Sequence, residues 1–214
     1  MKLTRKVANL ATTLITFGSL AGGANAATII GASSVISNTG FFGNGLDLIN
    51  QSGLSATYAS GITNFSSFVA TTTSSSTNIG DGGVFGGSSV ATNIWTFDLG
   101  SEFNLEGVAV FSLGSSPGRV TEYNVHFDSN SIFSDGVTSS PALAVLIAGH
   151  PSPTVSTFPS APTQFVHIES TNTERGIAFH GLGEVFFSGT AVPEPSSALL
   201  LGLGALTISF RRRR

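Results

Sequence analysis

The sequence contains no cysteine, and between residues 27 and 190 it has no lysine and only two arginines, Arg119 and Arg175. Because no disulfide can form, stability must come from a buried core or from bound ions. Eleven acidic residues give this span a formal charge of −9, which the value of −3 for the whole chain conceals. A domain with so few cations cannot neutralise a phosphate backbone, so we expect no nucleic acid partner.

The N-terminus has the features of a secretory signal. Three basic residues before residue 7 precede an uncharged segment over 7–20, and the small residues Ala24 and Ala26 flank Asn25. This pattern is typical of a signal peptide cut by signal peptidase. We therefore predict a signal helix within 1–26 and a mature chain that starts near Ala27.

The C-terminus combines three unlike features in order. Pro193, Glu194 and Pro195 hold the chain extended, and the uncharged run 198–210 follows. As a helix, this run rises about 20 Å, less than the roughly 30 Å hydrocarbon core, so it would span a membrane only with local thinning. Four arginines end the chain and would stay cytoplasmic: Arg211, Arg212, Arg213 and Arg214.

This order of features closely resembles the PEP-CTERM sorting signal of exported bacterial proteins. The resemblance implies an exosortase partner that processes the tail, 191–214, in the inner membrane. It further implies a final location at the cell surface or in the extracellular matrix, where such proteins are associated with extracellular polysaccharide or biofilm. The alternative is a plain C-terminal membrane anchor.

The remaining span, 27–190, is one domain's worth of chain and is rich in glycine, serine and threonine. Long helical patterns are missing, so we predict an all-β fold, an antiparallel β-sandwich or jelly roll. The stretch 61–89 lacks periodicity and predicts a long loop or flexible insertion. The apolar run 142–148 is compatible with a buried strand or a short helical turn.

Alternating apolar residues predict the clearest strands. Trp95, Phe97 and Leu99 alternate with polar positions until Gly100, where we expect the strand to end. A second strand follows over 105–113. The remaining predicted strands are a third with Tyr123, Val125 and Phe127 facing inward, and short ones over 165–169, 176–179 and 184–188, with a turn at 170–173.

Four of these blocks, in this order, resemble the discoidin or coagulation-factor type C domain, a galactose-binding-like β-sandwich. The blocks are 95–100, 119–125, 165–168 and 181–187. The early block 44–50 matches the family's calcium loop only loosely, and the insertion 61–89 is long. By this resemblance, calcium would be held by Asp47 and by Glu184, whose place beside an apolar strand makes an unpaired carboxylate costly. A glutamate that points to water is the alternative for Glu184.

Catalytic patterns are scarce. No H-E-x-x-H, paired histidine spacing or G-x-S-x-G occurs, and His126 and His167 fall on outward strand positions that favour solvated histidines over ligands. A glycosidase needs two carboxylates about 5 to 10 Å apart, and Glu102, Glu106 and Glu122 are the candidates. We expect no enzyme, although a secreted glycoside-active enzyme remains an alternative.

The predicted function is binding of a carbohydrate or extracellular polysaccharide by loops at one end of the sandwich. Phe41 and Phe42 stand in a turn-rich setting where two adjacent aromatic side chains would not both face a core. Arg119 follows a turn, where it binds a ligand or forms a salt bridge with a nearby acid. Tyr58 and His150 are further loop candidates. The rival hypothesis is a structural matrix protein with no ligand site.

Overall fold

The structure is a computed structural model that describes residues 26–37, 40–75, 84–86, 92–114, 118–133, 138–139, 145–146, 151–173, 176 and 179–192. The predicted signal peptide lies outside these residues except for Ala26, and so does the sorting tail from Pro193 onward, with its apolar run 198–210. Within the described residues, no helix is long and apolar enough to cross a membrane.

Strands make up most of the described chain. They are β1 (Thr28–Ile30), β2 (Ser34–Ser37), β3 (Phe41–Phe42), β4 (Val84–Gly86), β5 (Asn93–Val110), β6 (Val120–Asp128), β7 (Thr138–Ser139), β8 (Val145–Leu146), β9 (Thr154–Thr173), β10 (Gly181–Leu182) and β11 (Val185–Ala191). A 3₁₀ helix covers Gly45–Leu48 and one α-helix, α1, covers Phe65–Thr71.

One antiparallel sheet carries eight of the strands in the order β1-β11-β5-β9-β6-β7, with β2 added on β5 and β8 on β6. The long strands β5 and β9 fold this sheet over itself. Phe97, from the first half of β5, packs against Phe187 of β11 with ring centroids 5.7 Å apart, and Phe127 of β6 packs against Phe158 of β9 at 4.7 Å. The two halves therefore enclose one core, which confirms the predicted mostly antiparallel β architecture.

Gly100 bends β5 and does not end it. The predicted pair of strands is one strand, because pairing with β9 is interrupted between Asp98 and Phe103 and then resumes. Gly100 has a φ of +80°, which only glycine adopts without strain, and its N–H donates to the Asp98 side chain at 2.8 Å. The corner therefore joins the two halves of the sandwich within a single chain segment.

The predicted loop 61–89 contains a helix, so that prediction is wrong for 65–71. Asn64 caps α1 by accepting from the Ser67 N–H at 2.9 Å, and Phe65 and Phe68 are buried. They pack on Phe186, the centre of a second apolar cluster with Ile29, Ala109 and Phe111. Helix α1 thus covers the outer face of β5 and β11, and both faces of these strands are buried.

Two further strand predictions change. The predicted turn at 170–173 belongs to β9, where Ser170 pairs with Tyr123 and Thr173 with Val120. The predicted strand 176–179 has no strand at its described residues, Gly176 and Phe179. Of the apolar run 142–148, only β8 is described, and it pairs with β6 as a strand.

The prediction that His167 is solvated is wrong. It lies on the outer face of β9 but is fully buried under Phe133, whose ring centroid is 5.4 Å away. Its Nδ1 is 2.8 Å from Thr96 Oγ1, and its Nε2 is 3.8 Å from Asp128 Oδ2. Burial lowers the pKa of His167, and the neighbouring His126 lowers it further, although Asp128 and the Asn130 backbone oppose the shift.

His126 is the exposed member of this pair. Its side chain keeps 12% of its surface accessible, and its Nε2 lies 3.0 Å from Glu169 Oε2. The Asn124 amide donates to the same Glu169 oxygen at 3.3 Å. The two histidines face each other across β6 and β9, so they form one polar patch on the outer sheet face.

We expect Gly189→Ala to destabilise the fold by about 3 kcal/mol, at the upper end for overpacking. A Cβ at this position would lie 2.6 Å from the Asn104 carbonyl oxygen and 2.9 Å from Leu105 Cδ2. The carbonyl belongs to a paired strand and cannot move away cheaply. Gly61→Ala is the control, because its Cβ meets nothing within 4 Å and only its φ of +75° costs about 1 kcal/mol. Equal losses of unfolding free energy for the two variants, measured by urea unfolding, would contradict the close approach of the Asn104 carbonyl to Gly189.

We expect the contribution of His167 to the free energy of unfolding to fall as pH is lowered through about 6.5. The folded state disfavours protonated His167, whereas the unfolded chain takes up the proton near pH 6.5. The contribution is therefore complete above that pH and is lost below it. Urea unfolding at several pH values should show that the stability difference between the wild type and His167→Gln shrinks as pH falls through this range. A stability difference that stays constant with pH would refute the assignment.

Candidate functional site

Glu184 is the most unusual side chain of the described structure. It is fully buried between Gly183 and the first residue of β11, and neither carboxylate oxygen has a hydrogen-bond partner among the described residues. Its backbone is fixed against Phe111, since the Phe111 N–H donates to the Glu184 carbonyl at 2.8 Å and the Gly183 N–H donates to the Phe111 carbonyl at 2.9 Å. A buried carboxylate without partners is costly, so it marks a candidate site.

The loop that carries Asp47 lies beside this carboxylate. Asn44 caps the 3₁₀ helix by accepting from the Leu46 N–H at 3.1 Å, and this places Asp47 in its first turn. The Asn50 amide donates to Asp47 Oδ1 at 2.9 Å and accepts from the Ser52 N–H, also at 2.9 Å. Side chains of the loop therefore hold the Asp47 carboxylate in position.

Gln51 completes the loop with a strained backbone. Its φ of 65° is the only positive value of a described non-glycine residue. Its side-chain amide brackets Tyr58, accepting from the Tyr58 N–H at 2.7 Å and donating to the Tyr58 carbonyl at 3.3 Å. Strain of this kind persists only where surrounding contacts impose it and is common at functional sites.

The electrostatics show that these groups interact. Burial, with a smaller contribution from the charge of Asp47, raises the pKa of Glu184 to about 8. The Gln51 and Ser52 backbone opposes this rise, although neither group meets the geometry of a hydrogen bond to the carboxylate. Burial also raises the pKa of Tyr58 above its ordinary value, with a contribution from Glu184. Asp47 and Tyr58 are therefore close enough to Glu184 for their electrostatics to be coupled.

The donor set suits a hard cation better than a soft one, because it offers carboxylate oxygens and no histidine. Ca²⁺ takes six to eight oxygen ligands. Among the residues with described side chains, no group of three or more His, Cys, Asp or Glu is arranged to hold a metal. Asp47 and Glu184 would therefore need backbone carbonyls and water to complete the shell, and the orphaned Glu184 carboxylate is the feature that fits such an ion.

A second candidate region lies at the small sheet β10-β4-β3. The backbone of Phe41 and Phe42 pairs with β4, β4 pairs with β10, and Arg119 forms a β-bridge with Gly181 of β10. The Arg119 Nη1 also donates to the Gly114 carbonyl at 3.4 Å. The three residues predicted to bind ligand therefore converge on one small sheet, although they are far apart in sequence.

Sequence reasoning missed Phe179 and misjudged Tyr58. Phe179 is 41% exposed two residues before β10, where the sequence predicted a strand. Its neighbour His180 is buried, with Nδ1 2.5 Å from Ser170 Oγ. Tyr58 is not a loop aromatic open to ligand, because its ring packs on Phe68 and Phe186 and its hydroxyl is buried. His150 lies outside the described residues.

Glu106 and Glu122, two of the three candidate glycosidase carboxylates, are not brought together. Glu102 and Glu106 lie on β5, whereas Glu122 lies on β6 with β9 between the two strands. Glu122 pairs with Asn172, while the β5 residues around Glu106 face the opposite end of β9, near Thr157. These positions are more than ten residues apart along β9, so Glu106 and Glu122 cannot flank one glycosidic bond.

Comparison with known proteins gives one family match. Residues 191–214 match the PEP-CTERM protein-sorting motif, which implies an exported, exosortase-processed protein of the cell surface. No curated protein matches the chain in sequence.

The solved structures that resemble this chain include carbohydrate-binding modules and a lectin. The family 32 carbohydrate-binding module of Clostridium perfringens NanJ, in complex with galactose, has a TM-score of 0.47 at 12% identity, over 76% of this chain and 98% of that one. The CBM32-1 and CBM32-2 domains of C. perfringens ZmpB, in complex with GalNAc, score 0.49 at 10%, over 75% and 33%. A striped bass (Morone saxatilis) fucolectin scores 0.42 at 17%, over 51% and 36%. The chain thus joins a PEP-CTERM sorting motif to a β domain similar in structure to these modules.

Proposed function

We propose that this protein is exported, is sorted by an exosortase after transient anchoring in the inner membrane, and binds a glycan without catalysis. The glycan is a carbohydrate or extracellular polysaccharide at the cell surface or in the biofilm matrix. One observation carries the binding proposal: the convergence of Phe41, Phe42 and Arg119 on the small sheet, beside exposed Phe179.

The chemistry of this region supports a sugar ligand. A sugar ring presents C–H groups to an aromatic face and hydroxyl groups to planar hydrogen-bonding side chains. An exposed phenylalanine supplies an apolar surface, and a guanidinium supplies five donors in a fixed plane. The Gly114 carbonyl holds the Arg119 guanidinium, so part of the side-chain freedom is already lost before binding.

We further propose that calcium binds between Asp47 and Glu184 and stabilises the ligand-bearing end of the domain. Support comes from the buried Glu184 carboxylate without a hydrogen-bond partner and from the fixed Asp47 loop. Bound calcium would supply positive charge and oxygen coordination at this point. The chain's own part is to hold the two carboxylates and to exclude bulk water.

For the glycan site, we expect Arg119→Ala and Phe179→Ala each to weaken binding about tenfold or more, the size expected for a well-placed contact. Phe41→Ala and Phe42→Ala together should also weaken it. The measurement is calorimetry against the producing cell's own polysaccharide, with galactose and N-acetylgalactosamine as simple probes. Phe133→Ala, on the outer sheet face away from the small sheet, is the matched control.

Retained affinity in all folded variants would place the site elsewhere. Absence of binding by the wild-type protein to every polysaccharide tested would favour the structural matrix protein. Release of reducing sugar during the titration would instead favour an enzyme.

For the metal site, we expect calcium to raise the melting temperature and a chelator to lower it. An ion bound only to the native state adds about 2.7 kcal/mol at a hundredfold excess over Kd. Glu184→Gln should abolish this response without weakening the calcium-free protein, since the amide keeps the shape of the side chain and is neutral, the state that burial already favours for Glu184. Glu102→Gln, an exposed acid, should keep the full response. A calcium response that survives Glu184→Gln would overturn the assignment.

A further inference from the structure

A groove of about 430 Å³ lies beside α1, on the outer face of the sheet. Phe65 and Val69 of α1 form one wall, and Val155 and Phe158 of β9 form another. Ala27, the residue that precedes β1, also lines the groove. The proposed glycan and calcium sites use none of these residues.

Glu106 supplies the only ionisable side chain among the described residues that line the groove. Two irregularities in strand pairing turn it outward, one between Leu105 and Gly107 on β5 and one between Ser188 and Gly189 on β11. The Ser188 hydroxyl donates to Glu106 Oε1 at 3.5 Å. Leu105 and Val108 both face the core although they are three residues apart, and the extra residue of the bulge leaves Glu106 exposed.

Ala27 is fixed at the same groove by its backbone. The Phe65 N–H donates to the Ala27 carbonyl at 3.1 Å, and the next residue, Thr28, pairs with Gly189 and donates its hydroxyl to the Gly189 carbonyl at 3.3 Å. Ile29, the residue after Thr28, is fully buried. The strand that begins here therefore holds the Ala27 backbone near β11 and Glu106, with little freedom to leave.

We infer that this groove receives the N-terminus of the mature chain, and that the α-ammonium of Ala27 pairs there with the Glu106 carboxylate. The inference rests on the proposed export, because cleavage after Ala26 converts a neutral peptide N–H into a cation with three donors. Removal of the signal peptide thus adds a positive charge beside Glu106 in this groove and stabilises β1 at the edge of the sheet.

The sequence permits a clean test, because residues 27–214 contain no lysine and the α-amine is the only primary amine of the mature chain. Chains that begin at Ala27, released from a scissile fusion, are compared with the same chains after amine acetylation. We expect the free amine to raise the melting temperature at pH 6.5 by about 1 to 4 °C, as for a partly exposed ion pair. The difference should vanish near pH 10, where an α-amine is neutral.

Glu106→Gln should abolish the difference between the free and acetylated forms, and Glu102→Gln, on the same strand but outside the groove, should preserve it. Equal melting of the two forms, or a difference that survives Glu106→Gln, would overturn the inference. Since the chains are made directly with Ala27 first, this result is independent of cleavage in the cell and of glycan binding. Intact mass of the exported protein and the glycan titration test those separately.

Discussion

Two adjacent phenylalanines on β11 set the main constraint of this fold. Because side chains alternate along a strand, Phe186 and Phe187 must enter opposite faces, and both are fully buried. Phe187 joins the core between the sheet halves, where it packs on Phe97. Phe186 needs a second apolar layer, which α1 supplies through Phe65 and Phe68. Without that helix, the outer face of β5 and β11 would expose an aromatic cluster to water.

The candidate calcium site follows from this two-sided burial. Glu184 directly precedes β11, so the layer that covers Phe186 also covers its carboxylate. The same Tyr58 ring that packs on Phe186 brings its hydroxyl near Glu184. If this face of the sheet were exposed, water would solvate the Glu184 carboxylate and binding an ion there would gain less free energy. The packing of the second layer therefore creates the buried environment of the candidate site.

Alternating sequence patterns correctly predicted strand segments in which one face is more buried than the other. Trp95, Phe97 and Leu99 alternate with less buried positions, and the structure confirms their place in the core. The predictions are wrong where both faces of a strand are buried, or where strand pairing orders a segment whose composition is typical of a turn. The turn-like 170–173 becomes strand because β6 lies beside it, and His167 is buried because Phe133 covers an outward position. The sequence does contain a helix-start signal for α1, namely the cap residue Asn64 followed by apolar residues at 65, 68 and 69.

The candidate sites were predictable to different degrees. Asp47 and Glu184 came from family resemblance, and only the folded chain shows that they interact. Local composition suggested Phe41, Phe42 and Arg119, but their convergence depends on the bridge from Arg119 to Gly181, which no local pattern encodes. Phe179 was assigned to a strand and so was not considered as a ligand contact. Sequence thus identified residues of suitable chemistry, while long-range strand pairing determined which backbone segments lie side by side.

The central claim is that this domain binds a glycan outside the cell, and cosedimentation tests it most directly. Protein collected from outside the producing cells is mixed with their washed, insoluble polysaccharide and centrifuged, with an unrelated exported protein as control. The account predicts saturable recovery in the pellet that soluble fragments of the same polysaccharide compete away. Protein that stays in the supernatant at every polysaccharide concentration, or that pellets without competition, would contradict it.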